Sequence, residues 1–585
     1  MHRNPRRWLV SHLLRRRWLL LAFLLLSLAH SVLAAAMPRL TGVAFDVVLH
    51  PDVVRFGLAD PGSQLGALAG GMLVLALFLG ATDIGSAFAV EVVAQRLERD
   101  ARDELYVALL GKSQTFHQRQ KVGDIMARAT NDVRQLNPML NPGASLILSS
   151  MLGIVVPVTF IALLDPRLLL APALFLVAYA VSLRRYMAEL GPVSFAIRAR
   201  FGTLNAGLTE TITGIEVVKS VVSESWEKRR FVENAASYRD AFVDQGRIQA
   251  RYLPVLFIGL AIALGFAQGA WMVSVGQLSP GELVGFMGLM GMLRFPAFIS
   301  IFTFTLVQLG LAASARVLEM IVAETELDEN AGGHTAPVTG EVRFERVSFA
   351  YQGDKRVLSD VSFTVPPGRT VAIVGQTGSG KSTLTRLVNR TYDATGGRIL
   401  VDGVDVRDWD LHSLRSQISV IEQDVFLFSR SIRDNIAFGL GDRATPEAIE
   451  AAARAAQAHD FITRFADGYD TVVGERGVTL SGGQRQRIAI ARALLTDPRI
   501  LVLDDSTSAI DSATEDAIQR AIGAVLAGRT TFVITHRLAQ IRRADHVIVL
   551  AKGGVLDQGT HEELLGRCAL YQRIFGARGE VSCPS

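Results

Sequence analysis

The chain of 585 residues is far too long for one compact core, so at least two domains are expected. Its hydrophobic content of 49% and mean hydropathy of +0.29 are high for a water-soluble protein. A formal charge of +4 is modest for this length and gives no reason to expect a nucleic-acid partner, and two cysteines exclude a disulfide framework and a cysteine-rich metal cluster.

The first 320 residues contain six long apolar runs, each of a length that can cross a lipid bilayer as a helix. These runs are residues 18–48, 66–90, 143–164, 168–183, 252–275 and 283–311. An even number of spans places both chain ends on the same side of the membrane. The pattern predicts an integral membrane domain over residues 1–321.

Basic residues indicate the orientation of these spans. Arg and Lys are concentrated before the first span and after the second, whereas the segments expected outside hold only Arg55 and Arg167. By the positive-inside rule, the N-terminus and the C-terminal domain are expected to be cytoplasmic. A bacterial inner or plasma membrane is the expected location. A basic start before an apolar run also fits a cleaved signal peptide, but cleavage would leave five spans and contradict the charge distribution.

The connections between spans two and three and between spans four and five are unusually long and polar. Their helical periodicity predicts that the membrane helices continue into the cytoplasm and end in two tips, at residues 115–124 and 221–230. Soluble helical hairpins without a contact role are the alternative. Residues 322–340 lack apolar periodicity and are predicted as a linker to an α/β domain over residues 341–585.

The segment GQTGSGKST lies between a strand pattern and a helix pattern and has the spacing of a phosphate-binding P-loop. Its glycines let backbone N–H groups face the phosphates of ATP, and the helix start adds a positive dipole. Lys381 is expected to reach the β- and γ-phosphates, and Ser382 to ligate Mg²⁺. The predicted nucleotide-binding residues are Gly375, Gln376, Thr377, Gly378, Ser379, Gly380, Lys381, Ser382 and Thr383. The fold class is therefore a six-span α-helical transmembrane domain plus an α/β P-loop nucleotide-binding domain.

Two further residues are candidates for the same nucleotide. The stretch ILVLDD ends a predicted parallel strand, and its first carboxylate, Asp504, is expected to hold the Mg²⁺ of the P-loop. Tyr351 follows an alternating strand pattern about 25 residues before the P-loop and suits stacking on adenine. Core packing is the alternative for this tyrosine.

A second small-residue helix start occurs at residues 480–484, LSGGQ. Ser481, Gly482 and Gly483 precede a helix rich in Arg and Ile, so its N-terminus can bind an anion. One nucleotide rarely needs two such helix starts in one chain. We therefore expect this one to contact a nucleotide that another subunit holds.

Over essentially its whole length the chain resembles a half-subunit of the exporter-type ABC transporters. The motifs occur in the family's order: the Walker A loop at 375–383, the Q-loop around Gln423, the X-loop TVVGERG, the LSGGQ signature, the D-loop SAID ending at Asp511, and ITHRL with His536. This resemblance implies two nucleotide-binding domains that dimerise head to tail, with ATP between one Walker A loop and the other signature. The two tips match the family's coupling helices.

The resemblance also implies residue roles. Gln423 would sense the γ-phosphate and contact the coupling tips, and it would share Mg²⁺ with Ser382 and Asp504. His536 would orient the γ-phosphate and the attacking water. The residues that contact the nucleotide of the other subunit would be Ser481, Gly482, Gly483, Gln484 and Asp511.

The chain departs from the family pattern at Asp505, where hydrolytic members usually carry Glu. Asp is one methylene shorter, which withdraws the carboxylate by about 1 to 1.5 Å, so the site is expected to bind ATP and hydrolyse it slowly. The signature is intact. This combination predicts the degenerate half of a heterodimer whose partner supplies the catalytic Glu. A homodimer with slow hydrolysis and an ATP-gated channel or regulator are the alternatives.

The sixth span is rich in Met and Phe and contains Arg294 near mid-membrane and Pro296, which is expected to kink the helix. Met and Phe surfaces adapt to varied apolar ligands, and an intramembrane Arg is a functional candidate. An amphipathic drug- or lipid-like substrate is therefore expected. Ordinary packing with Arg294 paired to an acid of the partner is the alternative, and small peptides and import stay open. The six spans argue against a soluble ATPase of the same superfamily.

Overall fold

The computed structural model describes residues 4–54, 56–251, 254–351, 353, 355–474, 477–505, 523, 526 and 528–576. Within these, residues 254–256, 297–302, 304 and 505 are described by their backbone alone. Contacts within the chain divide it into two units. The first is Met1–Gly111 with Val122–Ala323, and the second is Lys112–Lys121 with Glu324–Ser585.

The first unit is helical, as its long apolar runs predict. Its helices are α1 (Pro5–Leu14), α2 (Arg17–Leu49), α3 (Pro61–Leu110), α5 (Val122–Ala127), α6 (Leu136–Pro138), α7 (Ser145–Leu164), α8 (Leu170–Thr213), α9 (Ile215–Ser220), α10 (Glu224–Ala250), α11 (Pro254–Ser274), α12 (Pro280–Met292) and α13 (Arg294–Val322). Helix α4 (Gln114–Arg119) belongs to the second unit. The first unit also contains two π-helical segments, Arg128–Asp132 and Met139–Ala144, and a 3₁₀ turn at Pro166–Leu169.

Side-chain caps determine where two of the helices begin. The Asp60 carboxylate accepts a hydrogen bond from the Ser63 N–H at 2.7 Å, and Pro61 occupies the first turn of α3, where no N–H is needed. At the start of α12, Ser279 and Glu282 each accept a hydrogen bond from the backbone N–H of the other. Both starts follow from local sequence alone.

The described part of the chain contains six helices long and apolar enough to cross a membrane, so the predicted number of spans is confirmed. The sixth predicted span differs in detail. It consists of two helices, α12 and α13, which meet at Leu293 rather than at the predicted kink residue, Pro296. Pro296 lies in the first turn of α13, where a proline removes no helical hydrogen bond. Arg294 begins α13 with its side chain exposed.

Helix α2 is joined closely to the start of α12. The buried Asp46 carboxylate accepts hydrogen bonds from the Ser279 hydroxyl and the Gly281 N–H, both at 2.7 Å. Gly42 and Gly281 bring the two backbones together, because a Cβ on either glycine would overlap the carbonyl oxygen of the other. Hydrogen bonds to a buried carboxylate and a close approach of two backbones therefore occur at the same point.

The extensions of the helices beyond their apolar runs have the predicted helical form. Helices α3 and α8 run well beyond their apolar segments, to Leu110 and Thr213. The predicted tip at 115–124 contains α4, whose Arg119 forms an ion pair of 2.5 Å with Glu326 inside the second unit. The predicted tip at 221–230 contains a short turn and the start of α10, and its Val222 side chain is 78% exposed.

The described part of the second unit holds ten strands in two sheets. They are β1 (Val342–Ala350), β2 (Arg356–Val365), β3 (Thr370–Gly375), β4 (Gly396–Val401), β5 (Val404–Asp405), β6 (Ile418–Ile421), β7 (Ile500–Asp505), β8 (Thr530–Thr535), β9 (His546–Ala551) and β10 (Gly554–Gly559). The helices are α14 (Lys381–Val388), α15 (Leu411–Arg415), α16 (Ile432–Ala437), α17 (Pro446–Ala455), α18 (His459–Ile462), α19 (Gly482–Leu495), α20 (Leu538–Ile541), α21 (His561–Arg567) and α22 (Ala569–Phe575).

The larger sheet positions the site. Its order is β10-β9-β3-β8-β7-β6, and all neighbours except β10 and β9 pair in parallel. Strands β3, β7, β8 and β9 are almost continuously buried and apolar, which is typical of a parallel sheet covered on both faces. The carboxyl ends of β3, β8, β7 and β6 therefore meet at one edge. The smaller antiparallel sheet has the order β2-β1-β4-β5.

The second half of the predicted linker is packed on the C-terminal unit. The Asn330 side-chain amide donates to the carbonyl oxygens of Arg407 and Trp409, and the His334 ring packs edge-on against Trp409 with centroids 4.5 Å apart. Asp402 accepts hydrogen bonds from Thr339, Gly340 and Glu341. Polar side chains hold most of this segment, and Val338, which is 3% exposed, is its one residue in the described core of the unit. A single buried side chain gives no apolar periodicity.

Candidate nucleotide-binding site

The P-loop joins β3 to α14 in the predicted strand-to-helix arrangement. Gly378 and Gly380 have φ angles of +80° and +99°, a region that favours glycine. Gln376 and Thr377 are exposed at the mouth of the loop, and Ser379 is 4% exposed with a buried hydroxyl that has no partner among the described residues. These glycine conformations are typical of a loop whose backbone N–H groups can turn toward a phosphate.

The Lys381 ammonium group lies over the P-loop. Its Nζ donates to the carbonyl oxygens of Gly375 at 2.9 Å and Gln376 at 3.0 Å. Burial lowers the pKa of Lys381, and the nearby Asp504 carboxylate opposes that shift. The two carbonyl contacts hold the charge at the loop, where a phosphate oxygen can replace them.

Ser382 and Asp504 provide paired oxygen atoms beside the P-loop. The Ser382 hydroxyl donates to Asp504 Oδ2 at 2.8 Å across the gap between α14 and β7. A hydroxyl and a carboxylate that converge in this way are the ligand types that Mg²⁺ prefers. The pair fits a magnesium ion held next to the phosphates.

The other predicted site residues end neighbouring strands. Asp505 is the last residue of β7 and is paired in register with Thr535, the last residue of β8. His536 follows β8 directly and is exposed, and Gln423 lies two residues beyond β6, also exposed. The structure thus collects Gln423, Asp505 and His536 at the same sheet edge as the P-loop.

Tyr351 lies just after β1 and is half-buried. Its hydroxyl is 3.0 Å from the hydroxyl of Thr383 in α14, and its ring contacts Phe349 and Tyr392 edge-on, with centroids 4.9 and 5.3 Å away. Part of the Tyr351 ring therefore packs in the core, which was the alternative to adenine stacking. The rest of the ring is accessible to solvent beside α14.

The predicted signature forms the capped start of α19. The Ser481 hydroxyl accepts from the Gln484 N–H at 3.3 Å, and the Gln484 side chain accepts from the Ser481 N–H at 2.9 Å. Gly482 is exposed and Gly483 is buried. Among the residues that the structure describes, no hydrogen bond joins this helix start to the P-loop.

Comparison with known proteins decides the family. Residues 358–508 match the family described as ABC transporter, and residues 20–297 match the ABC transporter transmembrane region. An uncharacterized ABC transporter ATP-binding protein of Bacillus subtilis, YknU, is 38% identical over 81% of this chain and 82% of its own length. An ATP-dependent lipid A-core flippase of Pseudomonas aeruginosa is 34% identical over 96% of this chain and 95% of its own length.

The chain belongs to the ABC transporter family. A solved structure of a bacterial Atm1-family ABC exporter with ATP bound is 29% identical, covers 97% of this chain and 99% of that chain, and has a TM-score of 0.81. A putative multidrug export ATP-binding/permease protein of Bacillus subtilis, YgaD, is 36% identical over 82% of the chain and 84% of its own length. The protein is thus an integral membrane ABC exporter with an ATPase domain, and ABC exporters act as dimers.

The D-loop of this ABC exporter, with Asp511, lies outside the described residues, and the side chain of Asp505 is not described. Their predicted roles stay predictions. The motif residues that sequence reasoning singled out and the structure describes occupy two places: the sheet edge with the P-loop, and the capped start of α19.

Sequence reasoning missed Arg492, which ties the signature helix of the ABC exporter to the Q-loop region. Its guanidinium donates to Asn435 O at 2.8 Å, to Asn435 Oδ1 at 3.1 Å and to Phe426 O at 3.2 Å. Burial lowers the pKa of Arg492. A single Arg in the apolar stretch AIARALL was the available signal, because a buried Arg needs several acceptors.

Proposed function

We propose that this ABC exporter is one half of a heterodimer that uses ATP to export amphipathic, drug- or lipid-like substrates. Its P-loop site would be the slow, degenerate site of the pair. The adjacent carboxylates Asp504 and Asp505, next to an intact signature, are the observation that carries this proposal. The names of the relatives, a lipid A-core flippase and a putative multidrug export protein, support the substrate class.

The nucleotide would bind at the sheet edge, with different residues contacting its phosphates, its adenine and the Mg²⁺ ion. The P-loop N–H groups and Lys381 would hold the phosphates, and Tyr351 would stack on adenine. Ser382, Asp504 and Gln423 would hold Mg²⁺, which neutralises charge on the transferred phosphoryl group. The pair of oxygens at 2.8 Å and the positions of the strand ends support these roles.

Hydrolysis depends on a carboxylate that positions water for in-line attack. Asp505, which ends β7, and His536, which follows β8, are the residues that would carry out this positioning. Because Asp is one methylene shorter than Glu, its carboxylate would stop about 1 to 1.5 Å short, and such misplacement lowers a rate on the order of a hundredfold. Substrate export would then be driven mainly at the site that the partner's Walker A loop forms with this chain's Ser481, Gly482, Gly483 and Gln484.

Apolar surfaces support coupling between the subunits. The tip at 221–230 exposes Val222 and Trp226, which are 78% and 54% exposed. Beside the Q-loop, a cavity of about 540 Å³ is lined by Phe426 and Phe438 among others. We infer that the tip of each subunit occupies this cavity in the other, so that a change at Gln423 reaches the membrane helices. The N-terminus and the nucleotide-binding domain would be cytoplasmic, in a bacterial plasma membrane.

ATP turnover by the chain alone and by the pair tests the heterodimer. The chain would be purified by itself and together with a half-transporter encoded next to it. We expect the pair to hydrolyse ATP on the order of a hundredfold faster. Brisk hydrolysis by the chain alone would overturn the heterodimer and favour a homodimer. Substrate flux into vesicles with ATP binding but without hydrolysis would instead indicate a gated channel.

Substitutions of Tyr351 separate adenine stacking from core packing. Tyr351→Leu removes the aromatic face and is expected to weaken ATP binding about tenfold, measured by titration with a fluorescent ATP analogue. Tyr351→Phe keeps the face and loses only the hydrogen bond to Thr383, so its affinity is expected to stay near wild type. If Tyr351→Leu lowers the melting temperature while ATP affinity is unchanged, the ring serves the core alone.

A further inference from the structure

A cavity of about 490 Å³ in the first unit is lined by residues of α8, α10 and α11 and by Arg251. Its lining includes the apolar side chains of Val181, Ile248 and Phe257 and the buried Tyr186, which is 4% exposed. It also includes the exposed side chains of Arg185, Arg251 and Glu189. A cavity with both apolar and charged lining residues suits a molecule that has both characters.

The two arginines of this cavity are not paired with any residue that the structure describes. In the part of the chain that the structure describes, the side chains of Arg185, Arg251 and Glu189 make no hydrogen bond or ion pair, although this structure pairs many other arginines with carboxylates. With one acid and two arginines, the lining of the cavity has a net charge of +1. The cavity is therefore complementary to a ligand with one negative charge.

The position of the cavity along the helices points to a lipid. The apolar run of α8 ends at Leu183 and is followed by Arg184 and Arg185, and Arg251 lies just before α11 begins. Arginines that flank apolar runs lie at the polar boundary of a membrane, and the positive-inside rule assigns this boundary to the cytoplasmic leaflet. Basic pockets between membrane helices at this level bind the head groups of anionic lipids.

We propose that this cavity binds the head group of an anionic glycerophospholipid from the cytoplasmic leaflet. Arg185 and Arg251 hold the phosphodiester, because guanidinium groups pair with phosphate oxygens through two parallel hydrogen bonds. Glu189 accepts hydrogen bonds from head-group hydroxyls, which favours a glycerol head group. An acyl chain lies along Val181 and Phe257. The site does not depend on which compound is exported, so it stands even if the export proposal fails.

Lipid binding to the full chain in detergent, followed by native mass spectrometry, tests this site. The probes are phosphatidylglycerol, phosphatidylethanolamine, phosphatidylcholine and inorganic phosphate. We expect wild type to retain phosphatidylglycerol in preference to both zwitterionic lipids. Each of Arg185→Gln and Arg251→Gln should weaken phosphatidylglycerol binding on the order of tenfold, and the double variant should weaken it further.

The matched control is Arg184→Gln, which removes an exposed neighbouring arginine that does not line the cavity. It should bind phosphatidylglycerol like wild type. Arg185→Lys, which keeps the charge and loses the paired hydrogen bonds, should bind with intermediate affinity even if a Gln variant fails to fold. Unchanged phosphatidylglycerol binding in the double variant, equal retention of phosphatidylcholine, or displacement of the lipid by inorganic phosphate would each overturn the proposal.

Discussion

Replacing Asp505 with Glu is expected to raise ATP turnover by the purified chain on the order of a hundredfold. This increase corresponds to an activation free energy that is lower by about 2.7 kcal/mol. The signature of the chain is intact, so two copies can form composite sites that lack only the longer carboxylate. The added methylene moves that carboxylate toward the water by about 1 to 1.5 Å. Release of inorganic phosphate at saturating ATP and Mg²⁺ measures the change.

Two variants make this result specific. Asp505→Asn removes the negative charge without lengthening the side chain, and this variant is expected to hydrolyse ATP no faster than wild type. Asp504→Glu lengthens the neighbouring acid and should lower turnover, because it displaces the carboxylate that Ser382 contacts at 2.8 Å. If Asp505→Glu and wild type turn over ATP equally, the length of this side chain is not what limits hydrolysis, and the degenerate-site proposal fails.

Gly281→Ala is expected to lower the stability of the first unit, which contains the membrane helices, strongly. The new Cβ would overlap the Gly42 carbonyl oxygen and the Asp46 carboxyl group, so α2 and α12 would have to separate. Separation also breaks the two hydrogen bonds of 2.7 Å that Asp46 accepts. Overpacking costs about 1–3 kcal/mol, and an unpaired buried carboxylate adds several more. Thermal unfolding of the detergent-solubilised protein, followed by size-exclusion chromatography, measures the loss.

Gly291→Ala is the matched control on the same helix. A Cβ at Gly291 meets no atom within 4 Å, and Ala is a better helix former than Gly, so this variant should be at least as stable as wild type. An additional variant, Asp46→Asn, keeps the shape and weakens the hydrogen bonds, and it should fall between the two. Equal melting temperatures for Gly281→Ala and Gly291→Ala would show that the helices tolerate separation.

The sequence allowed prediction of those features that depend on short stretches of chain. Apolar length predicts the spans, and the glycine spacing around Lys381 predicts the P-loop, because both depend on local chemistry. Two features were not predictable in this way. The division of the sixth span at Leu293 depends on packing around α12 and α13, and a proline in a first helical turn leaves no sign of where the helix breaks. The packing of Asn330 and His334 on the C-terminal unit depends on acceptors about 77 residues away.

The contacts of Arg492 show the same limit within the site. Its guanidinium binds carbonyl groups at residues 426 and 435, which are more than 50 positions away in sequence. An Arg in an apolar helix indicates that acceptors are needed but does not identify them. Site residues at strand ends were easier to predict, because Asp504 and His536 are specified by the strands that precede them.

The reciprocal cap between Ser481 and Gln484 bears on the kinetics of the proposed dimer closure. Because the helix start is already capped in a single subunit, an arriving nucleotide would meet N–H groups that are aligned beforehand, and this helix start would not have to lose conformational entropy at that moment. Preorganisation of this kind lowers the entropic cost of association. In the proposed heterodimer, the side of the chain that serves the other subunit's nucleotide would therefore bind it without first having to fold.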